Sequence, residues 1–168
     1  LLAEAGYPDG FEFTLDIAQG DPTSEQIAIL LQDAFAQIGV NMTINRQPSA
    51  VFAEQLGTLE HQAWMRDLLW YVDDAGYTGK LFFETGAVAN WMGYSNPDLD
   101  AVIDELASTL DPDRKVELAA EYQRILNDDA PALYVVDMPF EIAMRDDIQG
   151  YVQLPDNLLW YYPLYRGE

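Results

Sequence analysis

The chain has 168 residues, 49% of them hydrophobic and 22% charged, enough to bury a core of its own, which excludes a disordered chain. Eight Lys and Arg against 29 Asp and Glu give a formal charge of −21, which sets the surface against phosphate backbones and anionic headgroups and excludes nucleic-acid and membrane-surface partners. No apolar run approaches the roughly 20 residues of a bilayer span. The absence of cysteine removes disulfides, thiol nucleophiles and thiolate metal sites.

Leu1-Leu2-Ala3-Glu4-Ala5-Gly6 reads as the last turn of a helix closed by glycine, without an initiator Met or the helix's own beginning, as expected for a piece of a longer chain. After the turn residues Tyr7-Pro8-Asp9-Gly10, Phe11, Phe13, Leu15 and Ile17 alternate with Glu12, Thr14 and Asp16, the period of a strand over 11–18 with one apolar face. Asp21-Pro22 is an N-cap followed by a proline at N1. Ile27, Leu30, Leu31, Ala34, Phe35 and Ile38 then recur at helical spacing until Gly39, so a helix is expected over 22–38. Val40, Met42 and Ile44 alternate as a second strand over 40–46. Residues 11–46 thus form a β-α-β unit with parallel strands, and the class is α/β: a mixed, largely parallel sheet flanked by helices.

Ser49 is the expected cap of a short helix through Phe52 and Leu56, and 63–71 reads as a third strand. Residues 73–95 carry no sustained period apart from a short helix around Leu81-Phe82-Phe83, and so long an irregular stretch marks a functional segment. Asn96-Pro97 and Asp111-Pro112 open a helical hairpin. Its first helix has an apolar face of Leu99, Val102, Ile103 and Leu106, and its second one of Val116, Ala119, Ala120, Gln123 and Leu126. Leu133–Val136 and Phe140–Met144 are apolar enough for two late strands, and the aromatic tail 158–165 is expected to dock on a surface. With no repeat or linker, residues 1–168 are expected to form one domain.

No Gly-rich loop follows a strand in a nucleotide-binding spacing. His61, the only histidine, is expected to be a surface residue at a helix end, which leaves neither a Ser-His-Asp triad nor a selective metal site. Neither a metal nor another cofactor is expected. Paired carboxylates are too numerous to point to one chemistry. What stands out is Trp70-Tyr71-Val72-Asp73-Asp74, where an aromatic strand runs into two acids at the carboxyl end of a strand, the place where ligands collect in α/β sheets. Apolar faces beside a counter-charge suit a ligand with a cationic amine, such as a peptide N-terminus. Trp70, Tyr71, Asp73 and Asp74, with Tyr77 beside them, are the candidate ligand contacts; the bland alternative is a core tryptophan followed by a solvated acidic turn.

The opening run through Phe13 resembles a segment midway along the family 5 extracellular solute-binding proteins, the dipeptide, oligopeptide and nickel receptors of bacterial ABC importers. Trp70-x-x-Asp73, Tyr94-Ser95-Asn96-Pro97-Asp98-Leu99-Asp100, Gln123-Arg124-Ile125-Leu126 with Asp129-Ala130-Pro131, and Ile148-Gln149-Gly150-Tyr151 follow in the family's order. The resemblance implies one lobe, the second, of a two-lobe periplasmic-binding-protein type II receptor, periplasmic or lipid-anchored outside the cytoplasm. Its partners would be the first lobe of the same chain, a peptide-like or other small solute and an ABC permease. It further implies that Trp70 lines the side-chain pocket and Asp73 pairs with the ligand's ammonium. Where the family often has an Asp-Pro step, this chain has Asp74-Ala75-Gly76-Tyr77-Thr78, which leaves dipeptide, longer peptide, opine, sugar and metal-chelate ligands all open. Two readings of other classes stand beside the binding module: a carboxylate-dependent hydrolase lobe, and an interaction domain with no small ligand.

Overall fold

The computed structural model describes residues 1–68, 72, 74–137, 139, 141–154 and 160–167, which fall into two compact units, Leu1–Leu68 and Leu69–Glu168. In the first unit the opening residues close as expected. Tyr7 N–H reaches Leu2 O at 2.8 Å and Gly6 N–H reaches Ala3 O at 3.2 Å, with Gly6 at φ +92°, the bond pair of a glycine-terminated helical turn. Strand β1 (Glu12–Ala18), helix α1 (Pro22–Ala36), strand β2 (Asn41–Gln47), helix α2 (Ser49–Leu56) and strand β3 (Ala63–Met65) follow. The sheet order is β2-β1-β3, and both pairings are parallel, with Glu12 opposite Asn41 and Leu15 opposite Ala63.

The β-α-β expectation holds because the period of two puts Phe13, Leu15 and Ile17 on one face, beside Met42, Ile44, Ala63 and Met65. Ala28, Leu31 and Phe35 of α1 close over that face. Asp21 caps α1 by accepting from Thr23 N–H at 3.0 Å, with Pro22 in the first turn. Gly10 passes so close to Gly39 that a Cβ there would stand 1.8 Å from the Gly39 carbonyl oxygen, so the entry to β1 and the turn before β2 cross with no room for a side chain.

Several expectations are corrected. The third strand is shorter than 63–71: it spans Ala63–Met65, residues 66–68 are not strand, and 69–71 lie outside the described residues. Helix α1 ends at Ala36 rather than 38, so Ile38 lies beyond it and is exposed; within α1 the buried positions are Ser24 and Ala28, while Leu30 stands exposed, because the covering stripe is narrower than the apolar one. Ser49 is no cap. It is the first residue of α2, and its hydroxyl donates to Gln19 O at 3.2 Å.

The second unit holds helix α3 (Ala75–Thr78), which runs into a π-helical turn (Gly79–Phe83), then α4 (Pro97–Ser108), α5 (Pro112–Asp129) and an antiparallel ribbon of β4 (Ile148–Gln149) and β5 (Tyr165–Arg166). Asn96 caps α4 through Asp98 N–H and Leu99 N–H, and Asp111 caps α5 through Asp113 N–H and Arg114 N–H. The α4 face is the expected one, with Leu99, Val102, Ile103 and Leu106 buried. The α5 face is Leu118, Tyr122, Ile125 and Leu126, and Val116 is 72% exposed. The two late strands are absent among the described residues: 133–137, 139 and 141–144 are irregular, and Leu133, Tyr134 and Val136 are exposed. In the tail, Leu158 and Leu159 lie outside the described residues, and Trp160, Tyr161, Tyr162 and Tyr165 are exposed rather than docked. No helix among the described residues is long and apolar enough to cross a membrane.

Candidate functional site

Of the five candidate ligand contacts, Trp70, Tyr71 and Asp73 lie outside the described residues; Asp74 and Tyr77 are described. Asp74 opens α3. Its Oδ1 accepts from Tyr77 N–H at 2.9 Å and its Oδ2 accepts from Lys115 Nζ of α5 at 3.0 Å. The Tyr77 amide, and then the Lys115 ammonium, hold its carboxyl below the usual carboxylate range. Both oxygens are thus engaged within the protein, and the carboxylate ties the start of α3 to α5. Tyr77 is 42% exposed.

The helix that Asp74 caps is held close to its neighbour. A Cβ on Gly76 would stand 2.9 Å from Ala107 Cα and 3.0 Å from Ala107 N, so only glycine lets α3 lie directly on the backbone at the end of α4. The π-helical turn continues this seat: Glu84 N–H reaches back to Gly79 O at 2.9 Å, and Phe82 and Phe83 are buried. The residues just past the aromatic-acidic segment therefore stand on a rigid base. The sequence carried the signals for it, an Asp before a short helix and two glycines three residues apart.

A second polar constellation was not legible beforehand. Asp16 lies on the β1 face opposite Leu15 and Ile17 and is 7% exposed. Its Oδ1 accepts from Asn45 Nδ2 at 2.6 Å and Gln47 Nε2 at 2.9 Å, and its Oδ2 accepts from His61 Nδ1 at 2.7 Å. The His61 side chain is 6% exposed and lies against Phe52 of α2, with ring centroids 6.2 Å apart, so the surface histidine expected at a helix end is a buried partner of a strand carboxylate. His61 Nε2 and Gln47 Oε1 are buried without a hydrogen-bond partner among the described residues. An imidazole held by a carboxylate is the orientation used in acid-base and metal sites. Here its outer nitrogen is closed off from solvent, and no group of three potential metal ligands occurs among the described residues.

The ends of the helical hairpin are also tied. Asp129, at the end of α5, accepts from Tyr94 Oη at 2.5 Å and from Asn96 Nδ2 at 2.6 Å. The Tyr94 hydroxyl is pushed up to about 12, first by burial and then by this carboxylate.

Residues 1–90 match the family model described as bacterial extracellular solute-binding proteins, family 5 Middle. The glutathione-binding protein GsiB of Salmonella typhimurium is 28% identical over 167 residues, which cover 93% of this chain and 32% of that protein. GsiB of Pectobacterium atrosepticum is 27% identical over 169 residues, 94% of this chain and 32% of its own. The chain thus spans about a third of the length of these curated relatives, 32% in each case. Among solved structures, HbpA2 from Haemophilus parasuis superposes with a TM-score of 0.80 at 19% identity, over 99% of this chain and 34% of that one. The periplasmic binding protein DppA from Helicobacter pylori, in complex with the peptide STSA, superposes with a TM-score of 0.77 at 18% identity, over 99% and 33%. At these identities the likeness shows the fold, that of type II periplasmic binding proteins, mixed α/β with a parallel sheet.

Proposed function

We infer the function from membership: this chain belongs to the bacterial extracellular solute-binding proteins, family 5. We propose that residues 1–168 together are the second lobe of an ABC-importer receptor, working outside the cytoplasmic membrane, in the periplasm or on a lipid anchor. It captures a peptide-like or amine-bearing solute between itself and a first lobe, hands it to the permease, and carries out no chemistry on it. The observation that carries this reading is the family match over residues 1–90, which includes the aromatic-acidic segment. The relatives named for glutathione and the fold neighbour holding a peptide support a solute with a free amine and a peptide backbone.

In this reading Trp70 and Tyr71 supply apolar walls, with Tyr77 at their margin, and Asp73 receives the ammonium. Asp74 has a different task. With both oxygens committed to Tyr77 N–H and Lys115, it holds the chain in place just after Asp73. The test is calorimetric titration of the complete receptor with glutathione and with di- and tripeptides, each with and without a blocked amine. Asp73→Asn should weaken the free-amine ligands at least tenfold and leave the blocked ones nearly unchanged. Equal affinity of parent and variant for free-amine ligands removes Asp73 from the site, and turnover of a bound peptide would favour the hydrolase reading.

A further inference from the structure

We propose that the fold of this chain depends on salt: its carboxylates so outnumber its cations that counter-ions from the medium complete its native surface. The formal charge of −21 rests on 29 acids and only eight bases. Seven of those eight bases are already committed. Arg46, Lys80, Arg114, Lys115, Arg124, Arg145 and Arg166 each lie within ion-pair distance of a carboxylate, and Lys80 and Arg114 are each shared between two. Internal pairing therefore cannot absorb the excess, and compaction brings the remaining carboxylates closer together than they are in the unfolded chain.

The placement of the acids sharpens the effect. Helix α4 carries Asp98, Asp100, Asp104 and Glu105 and no Lys or Arg; Asp98 and Asp100 lie in its first turn, where the dipole suits them, and Asp104 and Glu105 depend on Lys80 and Arg114 from outside the helix. Helix α5 ends on Asp128 and Asp129 with no base in its last turn, where the helix dipole disfavours negative charge. The groove between these two helices is walled by Asp98, Glu105, Glu121, Asp128 and Asp129, with Arg124 as the cation among its lining residues. The two helices pack through an apolar stripe, and the Arg114–Glu105 pair across their seam offsets only part of the crowding of acids around the groove. Repulsion between exposed charges is long-ranged at low ionic strength and largely gone once the screening length falls to a few ångströms, so the native state gains more than the unfolded one when salt is added.

The experiment follows thermal unfolding of the 168-residue chain by circular dichroism in potassium chloride from about 0.01 to about 0.3 M, and again in potassium thiocyanate over the same range. Screening raises the midpoint in both salts alike, here by about 10 °C. An effect on apolar burial alone would separate the two anions, leaving the midpoint nearly unchanged in chloride and lowering it in thiocyanate. A second protein carries Asp33→Lys, Glu54→Lys and Glu121→Lys, three exposed helix positions whose side chains make no hydrogen bond or ion pair among the described residues. It should melt higher than the parent at the lowest salt and gain clearly less from added salt. A flat or falling midpoint in both salts, a flat midpoint in chloride with a falling one in thiocyanate, or a variant with the parent's slope would each overturn the proposal.

Discussion

Asp16 is one of three acids or hydroxyls on the polar side of β1, with Glu12 and Thr14, and it alone of the three is buried. The period of two assigned it correctly to the face away from α1. Alternation says which face a residue occupies and not what covers that face, and the cover here is α2 with the His61 ring, brought in by the chain between α2 and β3. Asn45 and Gln47 point to the same side through the parallel register, Asp16 opposite Asn45 and Ala18 opposite Gln47, so three donors converge on one carboxylate. Asp16→Ala leaves the buried His61 ring and the half-buried Gln47 without their acceptor, while the exposed Asn45 can turn to water, and a loss of about 3 kcal/mol of stability is expected. Glu12→Ala on the exposed part of the same strand should cost less than about 0.5 kcal/mol. Urea unfolding of the two variants side by side measures the contrast. A cost for Asp16→Ala below about 1 kcal/mol would mean that the network relaxes to other partners.

At the scale of elements, α4 was legible in full and α5 only in its limits. Asn96-Pro97 and Asp111-Pro112 are start signals with a local cause, a side-chain acceptor followed by a residue lacking the amide that would go unpaired. The buried face of α5 depends on where α4 lies. Val116, Ala119 and Leu126 fit one helical stripe, Leu118, Tyr122, Ile125 and Leu126 another, and packing chose the one with the larger side chains. The apolar runs 133–136 and 140–144 have strand composition, but pairing needs a neighbouring edge, which composition does not reveal. The start of α3 shows what the capping signal is worth. Asp74 titrates lower in the native state than in the unfolded chain, so it stabilises the fold above its ordinary pKa of 3.8, and that stabilisation is lost as pH falls below it. Asp74→Asn keeps an N-cap side chain and loses the charge facing Lys115, both groups being partly exposed, so at neutral pH it should cost less than about 1 kcal/mol. The difference between parent and variant should shrink as pH is lowered from about 5 to 3, as the parent's carboxylate takes up its proton. Stability curves measured by urea unfolding at each pH decide it: a difference independent of pH would show that the Asp74 charge contributes nothing.

For the whole molecule, the proposed site sets an expectation for binding by the chain alone. A solute held between two lobes has its ammonium and its side chain enclosed on both sides, whereas on one lobe the same contacts face water. An ammonium about 4 Å from a carboxylate gains ~4 kcal/mol at an effective dielectric of 20 and only ~1 kcal/mol in bulk water. The cost of fixing the ligand is the same in both cases, and the aromatic wall then covers one side only. On the proposed two-lobe reading closure would supply most of the affinity, and this chain, which spans 32% of the length of its curated relatives, would carry only a part of it. Titrating the 168-residue chain with di- and tripeptides and glutathione should give millimolar binding or none, while the complete receptor binds the same ligands far more tightly. The salt dependence of the fold has to be removed from this comparison by titrating both proteins at about 0.3 M salt, where screening is nearly complete and the chain is at its most stable. A submicromolar complex with the chain alone would show that these residues form a finished site without a second lobe, and the two-lobe account of the affinity would then fail.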